Sequence, residues 1–289
     1  MTEKRNKIDL PLLTITVLLV GFGILMVYSA SSYGAEINYG NKYYYMFKQM
    51  IGAVLGFMAM FALTFIDYNF LRKIRYIILA VSYVLLVLVF IPGVGVENYG
   101  ARRWINLPFF TLQASEISKF AFIIFTASYM AKNHKKMTTF RGLIPILIVG
   151  LSTCVLIILE PNMSITICMG LLMFAMMFIG GARIKHFLFI ALPLVVAVVV
   201  LIIAEPYRLS RLMAFIDPWK SPLGEGFQLI QSLYSLGSGG FFGLGLFNSR
   251  QKYLFLPFSE SDFIFSIIGE ELGLFGCLTV IAAYVFLIY

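Results

Sequence analysis

The chain has 289 residues and a formal net charge of +8; 60% of its residues are hydrophobic and only 12% are charged. This composition excludes a water-soluble domain, which needs a far larger share of polar surface. It predicts an all-α polytopic membrane protein. The three cysteines lie inside apolar runs without metal-type spacing, so they indicate neither a disulfide framework nor a metal site.

Apolar runs of about 17–25 residues, the length a helix needs to cross ~30 Å of hydrocarbon, predict eight transmembrane helices in a single membrane domain. The predicted spans are residues 11–30, 46–66, 74–91, 113–131, 142–159, 163–180, 187–204 and 263–289. The first run is long enough to be a retained anchor and not a cleaved signal. A long connection, residues 205–262, precedes the eighth span, and a connection of this length is usually functional.

Basic residues predict the orientation. One set of alternate connections carries twelve of them: Lys4, Arg5, Lys7, Arg72, Lys73, Arg75, Lys132, Lys135, Lys136, Arg141, Arg183 and Lys185. The short connections on the other side carry four: Lys42, Lys48, Arg102 and Arg103. The positive-inside rule therefore predicts a cytoplasmic N-terminus, and it accounts for the net charge without a nucleic-acid partner.

Acidic residues show the opposite bias, which places any chemistry on the outer face. They are Glu36, Glu97, Glu160, Glu205, Asp217, Glu225, Glu260 and Asp262. The outer connection after the third span also carries Arg102, Arg103 and Trp104. Paired guanidinium groups suit a phosphate ligand, but an interfacial anchor on lipid headgroups explains them equally well.

Two further polar groups lie at the outer ends of predicted helices. Glu116 and Lys119 are three residues apart and hence share a helical face, so a structural ion pair is favoured, while a lysine close to a bound pyrophosphate is not excluded. Glu160 precedes Pro161 and Asn162, where proline ends one helix and asparagine can cap the next.

The long outer connection carries Asp217-Pro218-Trp219, then Gln228 and Ser232, and then a glycine-dense tract over residues 237–245. Such glycines permit close backbone approach and could let main-chain amides face an anion. The tract lacks the spacing of a nucleotide-binding loop, so no nucleotide cofactor is predicted.

Asp262 is the last polar residue before the eighth predicted span, at the boundary between water and hydrocarbon. Desolvation and the neighbouring Glu260 carboxylate would raise its pKa towards the range of a general base, whereas the alternative role is a helix N-cap. Glu270 lies about 12 Å deeper along the same helix, where a proton path or helix packing suits it better than substrate contact.

Taken together, these segments resemble the SEDS family of cell-wall polymerases, which includes FtsW, RodA and SpoVE. The matching motifs are Asp9-Leu-Pro, Val27-Tyr-Ser-Ala-Ser31, Gly100-Ala-Arg-Arg-Trp-Ile105, Gln113-Ala-Ser-Glu-Ile-Ser-Lys119, Asp217-Pro-Trp219, Gly226-Phe-Gln228, Gln231-Ser232, Asp262-Phe-Ile-Phe265 and Gly269-Glu-Glu-Leu-Gly273. They run along nearly the whole chain and favour the division and sporulation branch over the elongation branch.

The resemblance implies an inverting peptidoglycan glycosyltransferase of the bacterial cytoplasmic membrane that polymerises lipid II into β-1,4 glycan strands. Asp262 matches the presumed base, and Arg102 and Arg103 would hold the pyrophosphate with a divalent cation, Mg²⁺ or Mn²⁺. The remaining matched residues are expected to bind substrate (Glu116, Lys119, Gln228 and Ser232) or to support the site (Glu160, Asp217 and Glu270). The implied partners are a class B penicillin-binding protein transpeptidase and other divisome or elongasome membrane proteins.

Several departures from the family pattern qualify these expectations. Ala114 stands where proline is usual, Asn162 where aspartate is usual, and Phe258 and Glu260 where glutamate and histidine are usual. Family members usually have ten spans, so the chain is expected to lack the last two. The alternative functions are a lipid II flippase or a non-catalytic scaffold. An ion-coupled transporter is disfavoured, because paired broken helices in two repeated halves are not evident.

Overall fold

The computed structural model describes residues 9–98, 101–106, 111–203 and 206–289. Some residues used above lie outside these ranges: Lys4, Arg5, Lys7, Gly100 and Glu205. The predicted fold class is confirmed, because the described chain is mostly helical, with one small sheet.

Apolar runs of helical length form most of the helices. The helices are α1 (Leu10–Tyr39), α2 (Tyr44–Leu63), α3 (Tyr68–Lys73), α4 (Arg75–Leu88), α5 (Ala114–Lys132), α6 (Phe140–Leu159), α7 (Met163–Ile179), α8 (Ile184–Ile203), α9 (Pro206–Ile216), α10 (Phe227–Gly239) and α11 (Ile264–Ile288). Each predicted span therefore contains a helix, although the ends differ. The long outer connection is itself partly helical, since it contains α9 and α10.

Within the described part of the chain, four helices, α1, α2, α6 and α11, are long and apolar enough to cross a membrane. Three shorter apolar helices are α4, α7 and residues Ile184–Val200 of α8. These helices make the chain a multi-pass membrane protein. The count of eight crossings stays a prediction, as does the cytoplasmic N-terminus.

The chain divides into two compact units. The first comprises Met1–Ala62 and Val200–Tyr289, and the second comprises Leu63–Val199. In the first unit, α11 packs against both α1 and α10. The core shared by α1 and α11 is formed by Met26, Ala30, Leu256, Ile267, Ile268 and Cys277. The core therefore includes Leu256, which belongs to the irregular segment before α11.

The second unit is built on α4, α5, α6 and α7. Gly150 of α6 lets this helix approach its neighbours, since a methyl group there would lie 3.1 Å from Met173 Cγ and 3.3 Å from the Phe122 ring. The Tyr83 hydroxyl donates to the Val149 carbonyl oxygen at 3.1 Å and so links α4 to α6.

A three-stranded antiparallel sheet precedes α5 in the second unit. Its strands are β1 (Gly95–Asn98), β2 (Ala101–Asn106) and β3 (Thr111–Gln113), in that order. The register shifts by one residue between Val96, which pairs with Trp104, and Glu97, which pairs with Arg102. Arg103 is therefore the extra residue of a β-bulge. The sheet leads straight into α5, because β3 ends at Gln113 and α5 begins at Ala114.

Helix α11 is interrupted at Gly273, whose backbone adopts φ = 67° and ψ = −164°. The segment 240–245 lies along this interruption and bonds to it in both directions. Leu244 N donates to the Glu270 carbonyl oxygen at 2.9 Å, and Leu274 N donates to the Gly240 carbonyl oxygen at 2.9 Å. These bonds satisfy backbone groups that the interruption releases, as an apolar environment requires.

Candidate functional site

The residues of the predicted site are divided between the two units. The first unit carries Asp217, Gln228, Ser232, Asp262 and Glu270. The second unit carries Arg102, Arg103, Glu116, Lys119 and Glu160.

Asp262 is exposed and lies immediately before α11. The N-cap position of this helix is held by Phe263, and no side chain caps it. The alternative role of Asp262 as a helix cap is therefore wrong for this structure. Because Asp262 is exposed, a ligand can reach its carboxylate.

The segment before Asp262 is fixed to α1 by two contacts. The Ser259 hydroxyl donates to the Ala30 carbonyl oxygen at 3.1 Å. Leu256, which is 2% exposed, packs in the core with Met26 and Ala30. These two contacts place Asp262 three residues beyond an anchored serine.

Glu270 is buried and does not face solvent, and the two expected roles, a proton path and helix packing, stay predictions. Its Oε2 accepts from the Ser249 hydroxyl at 2.5 Å and from the Ser235 hydroxyl at 3.2 Å. Its Oε1 accepts from Arg250 N at 3.0 Å. Four groups from α10 and the loop, including Gln251 N, thus converge on one carboxylate.

The other predicted residues of the first unit lie in or beside α10. Asp217 pairs with Lys220 at 3.6 Å in the turn that precedes this helix. Gln228 is half-buried in the first turn of α10. The Ser232 hydroxyl is buried and donates to the Leu229 carbonyl oxygen at 3.0 Å, within the same helix. Substrate contact by Gln228 and Ser232 stays a prediction.

Arg103, the second of the two adjacent arginines, contacts the turn between α6 and α7. Arg103 Nε donates to the Glu160 carbonyl oxygen at 3.3 Å, and the guanidinium also donates to the Pro161 carbonyl oxygen. These carbonyls lie at the C-terminal end of α6, where helical partners are missing and a cation is favourable. Arg103 therefore stabilises the α6–α7 turn. From the sequence, only a phosphate ligand or a lipid anchor was expected for this residue.

The Glu160 side chain is buried, 1% exposed, beneath this turn. Neither carboxylate oxygen has a hydrogen-bond partner among the residues that the structure describes. Burial raises the pKa of Glu160 to about 7, and the nearby Arg103 partly opposes the rise. Asn162 caps α7 as predicted, since its side chain accepts from Ile165 N at 3.3 Å. The aspartate usual in the family is therefore replaced by a residue that can still cap.

The predicted pair of Glu116 and Lys119 forms an ion pair in the first turn of α5. Lys119 Nζ lies 2.8 Å from Glu116 Oε1, and the two side chains are 21% and 51% exposed, respectively. The glutamate also lies where the helix dipole favours a negative charge. The pair presents a fixed polar face at this end of the second unit.

The glycine-dense tract does not present its amides to an anion. Gly245 N donates to the Glu271 carbonyl oxygen at 2.9 Å, and Gly243 has φ = 79° with its Cα close against the Glu271 backbone. The tract is therefore a backbone partner of α11.

An open cavity of about 690 Å³ lies in the first unit where α1 meets the loop over residues 247–253. Its lining is aromatic and charged: Tyr28, Ser32, Tyr33, Glu36, Lys42, Phe247, Lys252 and Tyr253. Sequence reasoning overlooked Lys252, because its partner is 19 residues away and no local spacing connects them.

Comparisons with known proteins agree with this architecture. The sequence model of the FtsW/RodA/SpoVE family, described as "Cell cycle protein", matches residues 10–289. Stage V sporulation protein E of Bacillus subtilis is 41% identical over 277 residues, which are 96% of this chain and 76% of the relative. A probable peptidoglycan glycosyltransferase FtsW of Trichlorobacter lovleyi is 39% identical over 97% of this chain and 74% of its own.

Two solved structures share the fold. A chain from a peptidoglycan synthase complex, whose structure addresses the coordination of polymerization and crosslinking, superposes with a TM-score of 0.76. It is 25% identical, and the match covers 96% of this chain and 75% of that one. The rod shape determining protein RodA of Thermus thermophilus, 22% identical, gives a TM-score of 0.61 over 96% of this chain and 72% of its own.

The named relatives confirm the predicted enzyme class, a peptidoglycan glycosyltransferase. The match to the family model, over residues 10–289, includes every residue of the predicted site. The protein therefore belongs to the FtsW/RodA/SpoVE family of peptidoglycan-synthesis membrane proteins.

Proposed function

We propose that this protein polymerises lipid II into β-1,4-linked glycan strands at the outer face of the bacterial cytoplasmic membrane, with Asp262 as the general base. The observation that carries the proposal is the state of Asp262. It is an exposed carboxylate on an anchored segment, and it does not cap α11. The family relatives named as glycosyltransferases support the reaction class.

In the proposed step, the Asp262 carboxylate takes the proton from the 4-hydroxyl of the acceptor GlcNAc. The oxygen then forms a bond to C1 of the donor MurNAc, and the bond from C1 to the pyrophosphate oxygen breaks with inversion. The undecaprenyl pyrophosphate leaves with the bonding electron pair. A base within hydrogen-bond reach of the hydroxyl contributes typically about 10²–10⁴-fold to such a transfer.

Cationic residues of the second unit are proposed to stabilise the leaving group. Arg102 lies in β2, and Lys119 lies near the N-terminal end of α5 with its ammonium beside Glu116. Because Arg103 already donates to two turn carbonyls, we assign it a supporting role beside this function. Guanidinium and ammonium groups are suited to developing charge on a pyrophosphate.

The divalent cation implied by the family resemblance stays a prediction. Within residues 9–98, 101–106, 111–203 and 206–289, no group of three or more His, Cys, Asp or Glu side chains could hold a metal ion. No step of the mechanism above is therefore routed through the cation.

We further propose that a class B penicillin-binding protein transpeptidase cross-links the strands, together with other divisome or elongasome membrane proteins. The structural neighbour from a peptidoglycan synthase complex supports a partner of this kind.

The test is strand formation from labelled lipid II by the purified protein with its transpeptidase partner. We expect Asp262→Ala and Asp262→Asn to lose at least about 10²-fold in rate while both proteins still fold and bind the partner. Glu225→Gln is the control, because it removes an exposed carboxylate of the same outer connection. Strand formation by Asp262→Asn at the wild-type rate would refute the assignment. If the wild type formed no strands, a flippase or a scaffold would be favoured.

A further inference from the structure

A buried polar cluster in the first unit lies apart from Asp262 and takes no part in the proposed reaction. We define it as Ser29, Ser249, Lys252, Glu270 and Glu271. Lys252 is 5% exposed, and the two glutamates are 1% and 0% exposed. Ionised side chains are almost never buried to this degree unless they are paired.

Lys252 and Glu271 form the ionic contact of this cluster. Lys252 Nζ lies 3.4 Å from Glu271 Oε1, and the ammonium also donates to the Phe247 carbonyl oxygen at 2.5 Å. The same Oε1 accepts from the Ser29 hydroxyl of α1 at 2.6 Å and from Ser249 N at 3.3 Å. One carboxylate on α11 thus joins α1 to the loop.

Glu270 binds the same loop from the adjacent position of α11. It accepts from the Ser249 hydroxyl, from Arg250 N and from Gln251 N. The two glutamates together therefore receive bonds from every residue between Ser249 and Lys252. This is the first anchor of the segment 249–262.

The second anchor is the contact of Leu256 and Ser259 with α1. After Ser259 only four residues, including Asp262, precede α11. The segment is therefore held at two points against α1 and α11, the two helices that the cluster joins. Loss of the first anchor would leave Leu256 and Ser259 to hold the stretch that carries Asp262 against a loosened loop.

We propose that Lys252 is a positioning residue: paired with Glu271, it clamps the segment 249–262 to α1 and α11 and so fixes Asp262 for proton transfer. The inference rests on the proposed function of Asp262. Lys252 touches no reacting atom in this role.

The charge balance of the cluster predicts how variants should behave. Removal of Lys252 alone leaves the Glu271 carboxylate buried without a cation, which is strongly destabilising for a buried pair. Replacement of both partners by neutral side chains of similar size avoids that penalty, and such replacements are often tolerated. A neutral pair should therefore restore part of what Lys252→Met loses.

The experiment compares Lys252→Met, Glu271→Gln and the double variant with the wild type, and Lys48→Met, an exposed cation of α2, is the control. Strand formation from lipid II gives kcat and KM, and hydrogen exchange reports on amides 249–262. For Lys252→Met we expect kcat to fall about 10–100-fold, with KM changed less than about 3-fold, because displacement of a catalytic group by roughly 1 Å has an effect of this size. Exchange in the segment should rise, and the double variant should recover at least about half of the logarithmic loss.

The outcomes separate the two proposals. Wild-type kcat and exchange in Lys252→Met would overturn the positioning role, and so would a fall in kcat without faster exchange in a folded variant. If Lys252→Met does not fold, Ser29→Ala tests the same clamp without altering charge. We expect faster exchange and a kcat about 3–10-fold lower for this variant. No change in exchange or in kcat would overturn the positioning role. Full activity of Asp262→Asn would instead refute the proposed function, whatever Lys252 does.

Discussion

Substitution of Gly239 by alanine should separate α10 from α11. Gly239 is the last residue of α10 and is buried against α11. A methyl group there would overlap the Gly269 carbonyl oxygen and lie 2.8 Å from the Gly269 carbonyl carbon and 2.9 Å from Glu270 Cα. All three atoms are backbone and cannot rotate away, so the helices must move apart by roughly 1 Å.

The size of the effect follows from the contacts at this crossing. Overpacking of a well-packed interface costs about 1–3 kcal/mol. The Ser235 hydroxyl of α10 shares its one proton between the Ser266 carbonyl oxygen and the Glu270 carboxylate of α11, at 2.9 and 3.2 Å, and this shared bond is worth about 1 kcal/mol. We therefore expect Gly239→Ala to lower the free energy of unfolding by about 2–4 kcal/mol.

Gly237→Ala is the matched control, since no atom lies within 4 Å of a methyl group at this position, two residues earlier in α10. It should raise stability by about 0.5–1 kcal/mol through helix propensity. Thermal unfolding in detergent at one scan rate measures both variants. At about 2–4 °C per kcal/mol, Gly239→Ala should lower the apparent Tm by roughly 5–15 °C. Equal Tm values for the two variants would refute the close approach of the helices.

Three further predictions concern the second unit. The pKa of Glu160 is about 7 in the folded protein and 4.5 ordinarily, so the folded state binds more protons between these values and stability should fall as pH rises from about 4.5 through 7. Thermal unfolding at pH 5 and pH 8 should therefore show a smaller difference in Tm for Glu160→Gln than for the wild type. An equal difference would contradict the raised pKa. Asn162→Ala should lose about 1 kcal/mol of unfolding free energy through the missing cap, whereas Asn162→Asp should retain it, and chemical denaturation would detect a failure of this contrast. Glu116→Gln should change the free energy of unfolding, measured by chemical denaturation, by less than about 0.5 kcal/mol, because the ion pair is partly exposed. A larger loss would contradict this estimate.

Local sequence patterns predicted the helices well. Apolar runs of spanning length identify a helix within each predicted span, because a helix satisfies its own backbone groups and needs only its own residues. The ion pair of Glu116 with Lys119 and the cap by Asn162 were predicted for the same reason. In each case the partners lie within four residues.

Contacts between distant residues were not predictable in this way. Arg103 binds carbonyls 57 and 58 residues away, and Ser29 binds Glu271 at a separation of 242 residues. The sheet before α5 and the helices α9 and α10 were also missed as elements, since the flanking glycines and polar residues suggested a connection without regular structure. Neither adjacent charges nor spacing distinguishes a ligand-binding arginine from one that holds a turn.

The interruption of α11 has a consequence for how the protein is made. A helix with continuous internal bonding can leave the insertion machinery as a finished unit, but α11 completes its bonding only when residues 240–245 lie against it. Before that contact forms, the released peptide groups would have to remain near water or near other protein, because hydrocarbon does not solvate them. We therefore expect α11 to be stably inserted only once the glycine tract has docked against it, and defects in the tract to act first on biogenesis.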